Sequence, residues 1–93
     1  MNSAERLLEI RRRLEETLEP RELDVIDEGH LHAGHEGARD GRGHFRLRIR
    51  SDRFAGLTMM QRHRLVYEVM GDLMRTDVHA LAIEAQLPEE KVW

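Results

Sequence analysis

The sequence contains no cysteine, and this absence excludes several classes of chemistry. The chain cannot form disulfides, cannot offer a cysteine nucleophile, and cannot hold zinc or an iron–sulfur cluster through its own thiolates. Any metal would need other ligands. Because the chain has six histidines, imidazole is the first candidate ligand.

Other features needed for catalysis or membrane insertion are also scarce. The two serines, Ser3 and Ser51, do not stand in a nucleophile-elbow pattern, and no glycine-rich loop has the order that cradles phosphate before a helix. No stretch approaches the roughly 20 apolar residues of a membrane span, and the first six residues lack the basic-then-apolar order of a secretory signal. We therefore expect a cytoplasmic protein that is not an enzyme and does not enter a membrane.

The length and composition indicate a single domain, residues 1–93. Two domains would each fall below the size at which a chain buries a useful core, and there is no internal repeat. Leucine, isoleucine, valine and phenylalanine together number 23, enough for a thin core, while 35% charged residues provide a hydrated surface.

Two helices are predicted. The first covers residues 2–19, because leucines recur there at helical spacing and Pro20 follows. The second covers residues 58–75, since Thr58 and Gln61 form a capping-box signature, and we expect Gly71 to bend or divide it. The apolar positions are Leu7, Leu8, Leu14 and Leu18 in the first helix, and Met59, Val66, Val69, Met70, Leu73 and Met74 in the second.

Three strands are predicted, over residues 23–28, 44–50 and 78–85. In the second strand Phe45, Leu47 and Ile49 alternate with polar residues, which indicates a sheet covered on one face only. Residues 29–43 hold five of the seven glycines and three histidines, so we expect a flexible loop. The order αββαβ predicts an α+β fold whose three-stranded sheet is covered on one face by helices.

The net charge of -3 hides a basic segment. Residues 39–64 hold eight arginines against two aspartates, a net charge of +6, and the remainder carries -9. Such a segment is either a solvated open sheet face or a surface that contacts nucleic acid. The candidate contacts are Arg46, Arg48, Arg50, Arg53, Arg62 and Arg64.

The six histidines fall into different settings. Three lie in the glycine-rich loop, at His30, His32 and His35, and their spacing matches no local zinc motif. We expect His63 to be a half-buried residue of the second helix, and His44 to be either a solvent residue or part of a phosphate-facing surface.

His79 differs from the others because it opens the third strand with the alternation of Leu81 and Ile83. A polar ring on the core side is costly unless it has a partner. Two interpretations stay open: a hydrogen bond at the sheet edge satisfies the ring, or its free nitrogen is presented to a metal.

Together these motifs resemble the BolA family. The resemblance rests on residues that occur in family order from about Leu7 to Trp93. They are Asp27-Glu28 ahead of a histidine-bearing loop, Gly43-His44-Phe45, Ser51-Asp52-Arg53-Phe54 followed by Gly56, Arg62-His63-Arg64-Leu65-Val66-Tyr67, Val78-His79-Ala80-Leu81, and Pro88-Glu89-Glu90. The family usually has Ser or Thr where this chain has Gly43.

The resemblance implies a fold similar to the type II KH domain and a heterodimer with a monothiol glutaredoxin that carries a 2Fe-2S cluster. In that family a C-terminal histidine, which matches His79, and a cysteine or histidine in the loop after the first strand are cluster ligands. The loop position that lines up best is His32, with His35 and His30 as alternatives. The partner's active-site cysteine and the thiol of glutathione supply the other side. The isolated chain is then expected to hold no cofactor and to be a monomer or a weak homodimer.

Two functions follow as hypotheses. The first is an interaction protein in iron–sulfur cluster assembly, trafficking or iron regulation, which suits a chain that can offer only imidazoles and needs a partner's sulfur. The second is a DNA-binding transcriptional regulator, which the KH-like fold and the family's reputation suggest and the arginine row supports.

Overall fold

The computed structural model describes residues 1–29, 42–90 and 93, so most of the predicted 29–43 loop lies outside the described residues. The elements are helix α1 (Ser3–Leu18), strands β1 (Glu22–Asp27) and β2 (Gly43–Arg50), a 3₁₀ turn (Asp52–Phe54), helices α2 (Met59–Met70) and α3 (Leu73–Thr76), and strand β3 (Val78–Gln86). The predicted α+β class is confirmed. None of the helices in the described part of the chain has the length and apolarity needed to cross a membrane.

The three strands form one sheet in the order β1-β2-β3. β1 and β2 are antiparallel neighbours, whereas β2 and β3 run parallel, so α2 and α3 provide the crossover that a parallel pair needs. Leu47 in the central strand is paired with Val25 on one side and Ile83 on the other. All three side chains therefore lie on the same face, the one that packs on the helices.

The core lies between this face of the sheet and the helices. The alternation predicted for β2 is confirmed, since Phe45, Leu47 and Ile49 are fully buried. Leu8, however, is 69% exposed, because it lies about 200° around α1 from Ile10 and so points away from the sheet. The buried apolar residues are Ile10, Leu14, Leu18, Phe45, Leu47, Ile49, Phe54, Val66, Met70, Leu73, Val78 and Ala85.

The crossover predicted over residues 58–75 consists of two helices, which are separated at Gly71, where a bend or a division was expected. Thr58 and Gln61 form the predicted capping box at the start of α2. Gly71 has a φ of 55°, a left-handed value that glycine adopts at little cost, and there the helical hydrogen-bond ladder stops. Met59, assigned to the apolar stripe, is half exposed in the first turn of α2.

A buried hydroxyl joins the end of α1 to the sheet. Ser51, which follows β2, is fully buried, and its Oγ donates to the carbonyl oxygen of Leu18 at 2.6 Å. Oγ of Ser51 also accepts the backbone N–H of Arg53 at 3.0 Å. Ser51 thus satisfies one of the carbonyls left open at the end of the helix.

Candidate functional site

His79 lies at the start of β3, where the pairing of β2 with β3 is interrupted. Gly43 is paired with Val78 but His44 with Ala80, so β3 has one extra residue here, His79. An extra residue of this kind changes the direction of the neighbouring side chains. Val78 is fully buried and His79 is exposed. The prediction that His79 shares the core side of β3 is therefore wrong, and Val78 takes the core position.

The imidazole of His79 contacts two residues of the neighbouring strand region. Its ring centroid lies 5.1 Å from that of His44, with the ring planes tilted by 48°. Nη2 of Arg42 lies 3.1 Å from Nδ1 of His79. Because a guanidinium can only donate, Nδ1 is the acceptor. The hydrogen bond considered for His79 is therefore present, and the imidazole remains exposed at the rim of the sheet.

His44 is only 7% exposed, which differs from the solvent or phosphate-facing position expected for it. The alternation of β2 does direct its side chain away from the core side occupied by Phe45. The extra residue in β3 brings the ring of His79 to the same side, and this ring covers the imidazole of His44. A prediction from strand alternation alone could not include this neighbour from another strand.

The segment that carries the other candidate histidines leaves and rejoins the sheet at this same place. The backbone N–H of Glu28 donates to the carbonyl of His44 at 2.8 Å, and Arg42 contacts His79. His30, His32 and His35 themselves lie outside the described residues.

Asp77 fixes the backbone two residues before His79. Its carbonyl accepts the N–H of Gly43 at 2.8 Å, and its carboxylate lies 2.8 Å from Oγ1 of Thr76 and 3.2 Å from Nε of Arg6. The hydrogen bond from Thr76, together with Arg6 and the N-terminal amine, holds the pKa of Asp77 below its usual value. The strand that presents His79 is thereby tied to both β2 and α1.

The described residues do not form a metal site on their own. Within residues 1–29, 42–90 and 93, no three histidine, cysteine, aspartate or glutamate side chains converge so as to hold a metal ion. An exposed imidazole at the sheet rim nevertheless suits a metal that is completed from elsewhere.

A cleft of about 440 Å³ opens on the sheet beside the histidine pair. Ala80 and Ala82 of β3 leave this space open because their side chains are small. Its lining residues are Glu28, His44, Phe45, Arg46, Ala80, Leu81 and Ala82.

The arginines of the open sheet face are paired with carboxylates. Arg46 lies 3.1 Å from Glu28 and Arg48 lies 2.8 Å from Glu84. Arg50 lies 3.5 Å from Glu22, and its guanidinium carbon lies 4.5 Å from the ring centroid of Trp93. Acidic side chains of β1, of the residue that follows it and of β3 thus flank the basic row of β2 and neutralise much of its charge.

The other three candidate arginines have different partners. Arg53 is paired with Glu19. Arg62 is mostly buried, and it donates to the carbonyl of Ala85 at 3.1 Å and to Glu90 at 3.0 Å. Arg64 is exposed and contacts the sulfur of Met60, with no carboxylate at ion-pair distance among the residues that the structure describes. His63 on the same helix is half-buried, as expected.

A comparison with known proteins adds to this geometry. The sequence model of the family described as BolA-like protein matches residues 14–90. The chain belongs to the BolA family. The fold of this BolA-family chain is also similar to the BolA domain of SufE1 from Arabidopsis thaliana, with a TM-score of 0.82 and 42% identity over 98% of this chain and 99% of that one. The resemblance found in the sequence is confirmed.

The curated relatives of this BolA-family chain are mostly longer than it is. SufE-like protein 1 of Arabidopsis thaliana is 44% identical over 88 residues, which are 89% of this chain and 24% of that protein. BolA-like protein 1 of Homo sapiens is 42% identical over 81 residues, 87% of this chain and 57% of that protein. The DNA-binding transcriptional regulator BolA of Vibrio cholerae is 36% identical over 81 residues, 87% of this chain and 74% of that protein.

Proposed function

We propose that this chain is a non-catalytic interaction protein that pairs with a monothiol glutaredoxin and co-ligates a 2Fe-2S cluster. In this proposal the cluster is cargo in iron–sulfur assembly, trafficking or iron regulation. His79 supplies one ligand, and a histidine of the 29–43 segment, His32 before His35 or His30, supplies the second.

One observation carries the proposal: an exposed imidazole stands on a fixed backbone beside both ends of the histidine-rich segment. Asp77 anchors the start of β3, and the extra residue in β3 directs His79 away from the core. Glu28 and Arg42, the described residues near the ends of the segment, contact His44 and His79 respectively. Both described borders of the segment are therefore in contact with the histidine pair.

The composition supports a partner that brings sulfur. This chain has no thiol, so a glutaredoxin cysteine and the thiol of glutathione would complete the ligand set. Two imidazoles and two thiolates resemble the ligands of a Rieske centre, which raises the reduction potential over that of four thiolates.

The test mixes the chain with a monothiol glutaredoxin that carries glutathione and a 2Fe-2S cluster, and follows visible absorption and circular dichroism. We expect the wild-type chain to change the spectrum, because imidazole replaces a ligand of the glutaredoxin cluster. The change should be lost with His79→Ala and reduced with His32→Ala.

His63→Ala is the matched control, since it removes an imidazole from α2 without touching the sheet rim. It should behave as the wild type. An unchanged spectrum with the wild-type chain, or the same change with His79→Ala, would contradict the proposal.

A second candidate function, DNA binding, is favoured by the name of the Vibrio relative and by Arg64, which is exposed and has no carboxylate partner among the described residues. The ion pairs of Arg46 and Arg48 weaken it, because phosphates would have to compete with Glu28 and Glu84. Titration of labelled DNA at two salt concentrations tests it.

Loss of affinity in Arg64→Glu but not in Arg21→Glu, an exposed arginine elsewhere on the chain, would support a DNA-binding surface. Equal losses would indicate non-specific attraction only. No binding at low salt would reject this function.

A further inference from the structure

We propose that Arg42 holds His79 in a form that cannot bind metal, so that a metal must displace Arg42 before this imidazole becomes a ligand. The inference rests on the proposed function in one respect, since it takes His79 as the ligand. It adds a positioning residue and a competition step at the same site.

Within the part of the chain that the structure describes, Arg42 contacts His79 and the end of α3. Nη2 lies 3.1 Å from Nδ1 of His79, and Nη1 lies 3.4 Å from the carbonyl oxygen of Arg75 in the last turn of α3. A guanidinium is planar and its donors have fixed directions, so the contact with the helix end orients the group that faces the imidazole. The ring of His44 lies against the imidazole of His79 as well.

This hydrogen bond decides where the protons of the His79 ring are. Because Arg42 only donates, Nδ1 must offer its lone pair, and in the neutral ring the proton is then on Nε2. A metal needs a lone pair. At Nδ1 it would have to take the place of Arg42.

Metal binding through Nε2 of His79 is also opposed by the contact with Arg42. The proton would have to move to Nδ1, and an N–H at Nδ1 would point at the N–H of Arg42. Both ways of ligation therefore require the contact between Arg42 and His79 to break.

The hydrogen bond at Nδ1 of His79 differs from the one usually found at a metal-binding histidine. A metal-binding histidine ordinarily donates its second ring N–H to a carboxylate, a backbone carbonyl or water, which fixes the ligating nitrogen. Here the nitrogen accepts from a cation instead. His79 is thus in place, but Arg42 competes with the metal for it.

The experiment uses zinc alone as the probe, added to the full metal-free chain at one fixed alkaline pH at which imidazole side chains are neutral. Binding is followed at the ring nitrogens of His79 by ¹⁵N NMR, with His79→Gln identifying its signals. Loss of one exposed hydrogen bond corresponds to about a fivefold change in affinity, so Arg42→Ala should bind zinc at His79 about fivefold more tightly.

Two further variants separate competition from charge. Arg75→Ala removes an exposed cation on α3 but keeps the backbone carbonyl that accepts from Arg42, and its zinc affinity at His79 should stay within about twofold of wild type. In Arg42→Lys the ammonium group can still donate to Nδ1 of His79, but it lacks the planar guanidinium that donates to the Arg75 carbonyl at the same time. We therefore expect a zinc affinity at His79 between those of the wild type and Arg42→Ala.

The metal-free chains give an independent readout. The Nδ1 resonance of His79 should move in Arg42→Ala and stay in place in Arg75→Ala, because only the first variant removes its hydrogen-bond donor. An unmoved resonance, equal zinc gains in both variants, or no zinc binding at His79 in Arg42→Ala would each overturn the inference. Since no glutaredoxin is present, these results do not depend on whether the cluster experiment succeeds.

Discussion

Replacement of Gly43 by alanine is expected to destabilise the protein through one specific clash. A Cβ at residue 43 would lie 2.5 Å from Cε2 and 2.8 Å from Cζ of Phe45, whereas carbon atoms in contact are ordinarily 3.5–4.0 Å apart. Phe45 is fully buried between the sheet and the helices, so its ring cannot move aside into solvent. The backbone of Gly43 is not left-handed, so the effect is one of packing.

The change in the free energy of unfolding of Gly43→Ala is the difference between a packing cost in the folded protein and an entropic gain from the unfolded chain. Forcing an extra methyl group into a packed core costs about 1–3 kcal/mol. Alanine also restricts the unfolded chain, which returns about 0.4–1 kcal/mol of stability. We expect a net loss of about 0.5–2.5 kcal/mol in the free energy of unfolding, which in a domain of this size lowers Tm by roughly 2–20 °C.

Urea and thermal unfolding, followed by circular dichroism, measure this loss. Phe45→Leu removes the two ring atoms that the new methyl group would meet, so the double variant should be more stable than the sum of the single effects by about 1 kcal/mol. Gly56→Ala is the control. It has no atoms within 4 Å of the added Cβ but a φ of 78°, so it should cost stability through backbone strain and show no coupling to Phe45→Leu.

A Gly43→Ala protein as stable as the wild type, or a coupling near zero with Phe45→Leu, would refute this account of the packing. The result also bears on the site, because Gly43 is paired with Val78 immediately before the extra residue His79.

Three further substitutions test the contacts that hold the fold together. Ser51→Ala removes the buried bond to the Leu18 carbonyl and should cost about 1–2 kcal/mol in urea unfolding; no loss would mean that the carbonyl finds another donor. Arg62→Met keeps an apolar stem but removes the guanidinium that donates to the Ala85 carbonyl and to Glu90, while Glu90 keeps the backbone N–H of Leu87. We expect a loss of about 1–3 kcal/mol by the same assay, against little change for Arg64→Met. The lowered pKa of Asp77 means that its carboxylate stabilises the fold above its ordinary pKa, and that this contribution is lost as the pH falls through the lowered value. Asp77→Asn should therefore be less stable than the wild type at neutral pH, with the difference shrinking in strong acid; a constant difference at all pH values would contradict this.

Much of the fold could be predicted because its elements are specified by local periodicity. The alternation in β2 identified its buried side chains, and the spacing of Thr58 and Gln61 identified the start of α2. These signals depend on neighbouring residues within a turn or a strand, so the rest of the molecule does not alter them. Gly71 predicted either a bend or a division of the second helix, and the sequence does not distinguish the two.

The site could be predicted less completely. His79 was recognised as distinct, yet its side of the strand was predicted wrongly, since a single extra residue in β3 separates it from the alternation of Leu81 and Ile83. The arginine row was identified correctly in β2, but its partners Glu28 and Glu84 come from other parts of the chain. The contact between Arg42 and His79 gave no signal in the sequence, because the two residues are 37 positions apart.

The sequence by itself determined the α+β elements, the family and the absence of cysteine, and it distinguished His79 from the other histidines. Only the tertiary structure decided which way His79 faces, what it contacts and how far the arginine charges are neutralised. The reason is strand register: one residue more or less in a strand moves its side chains to the opposite face. That register is set by packing between segments far apart in the chain, which local patterns do not record.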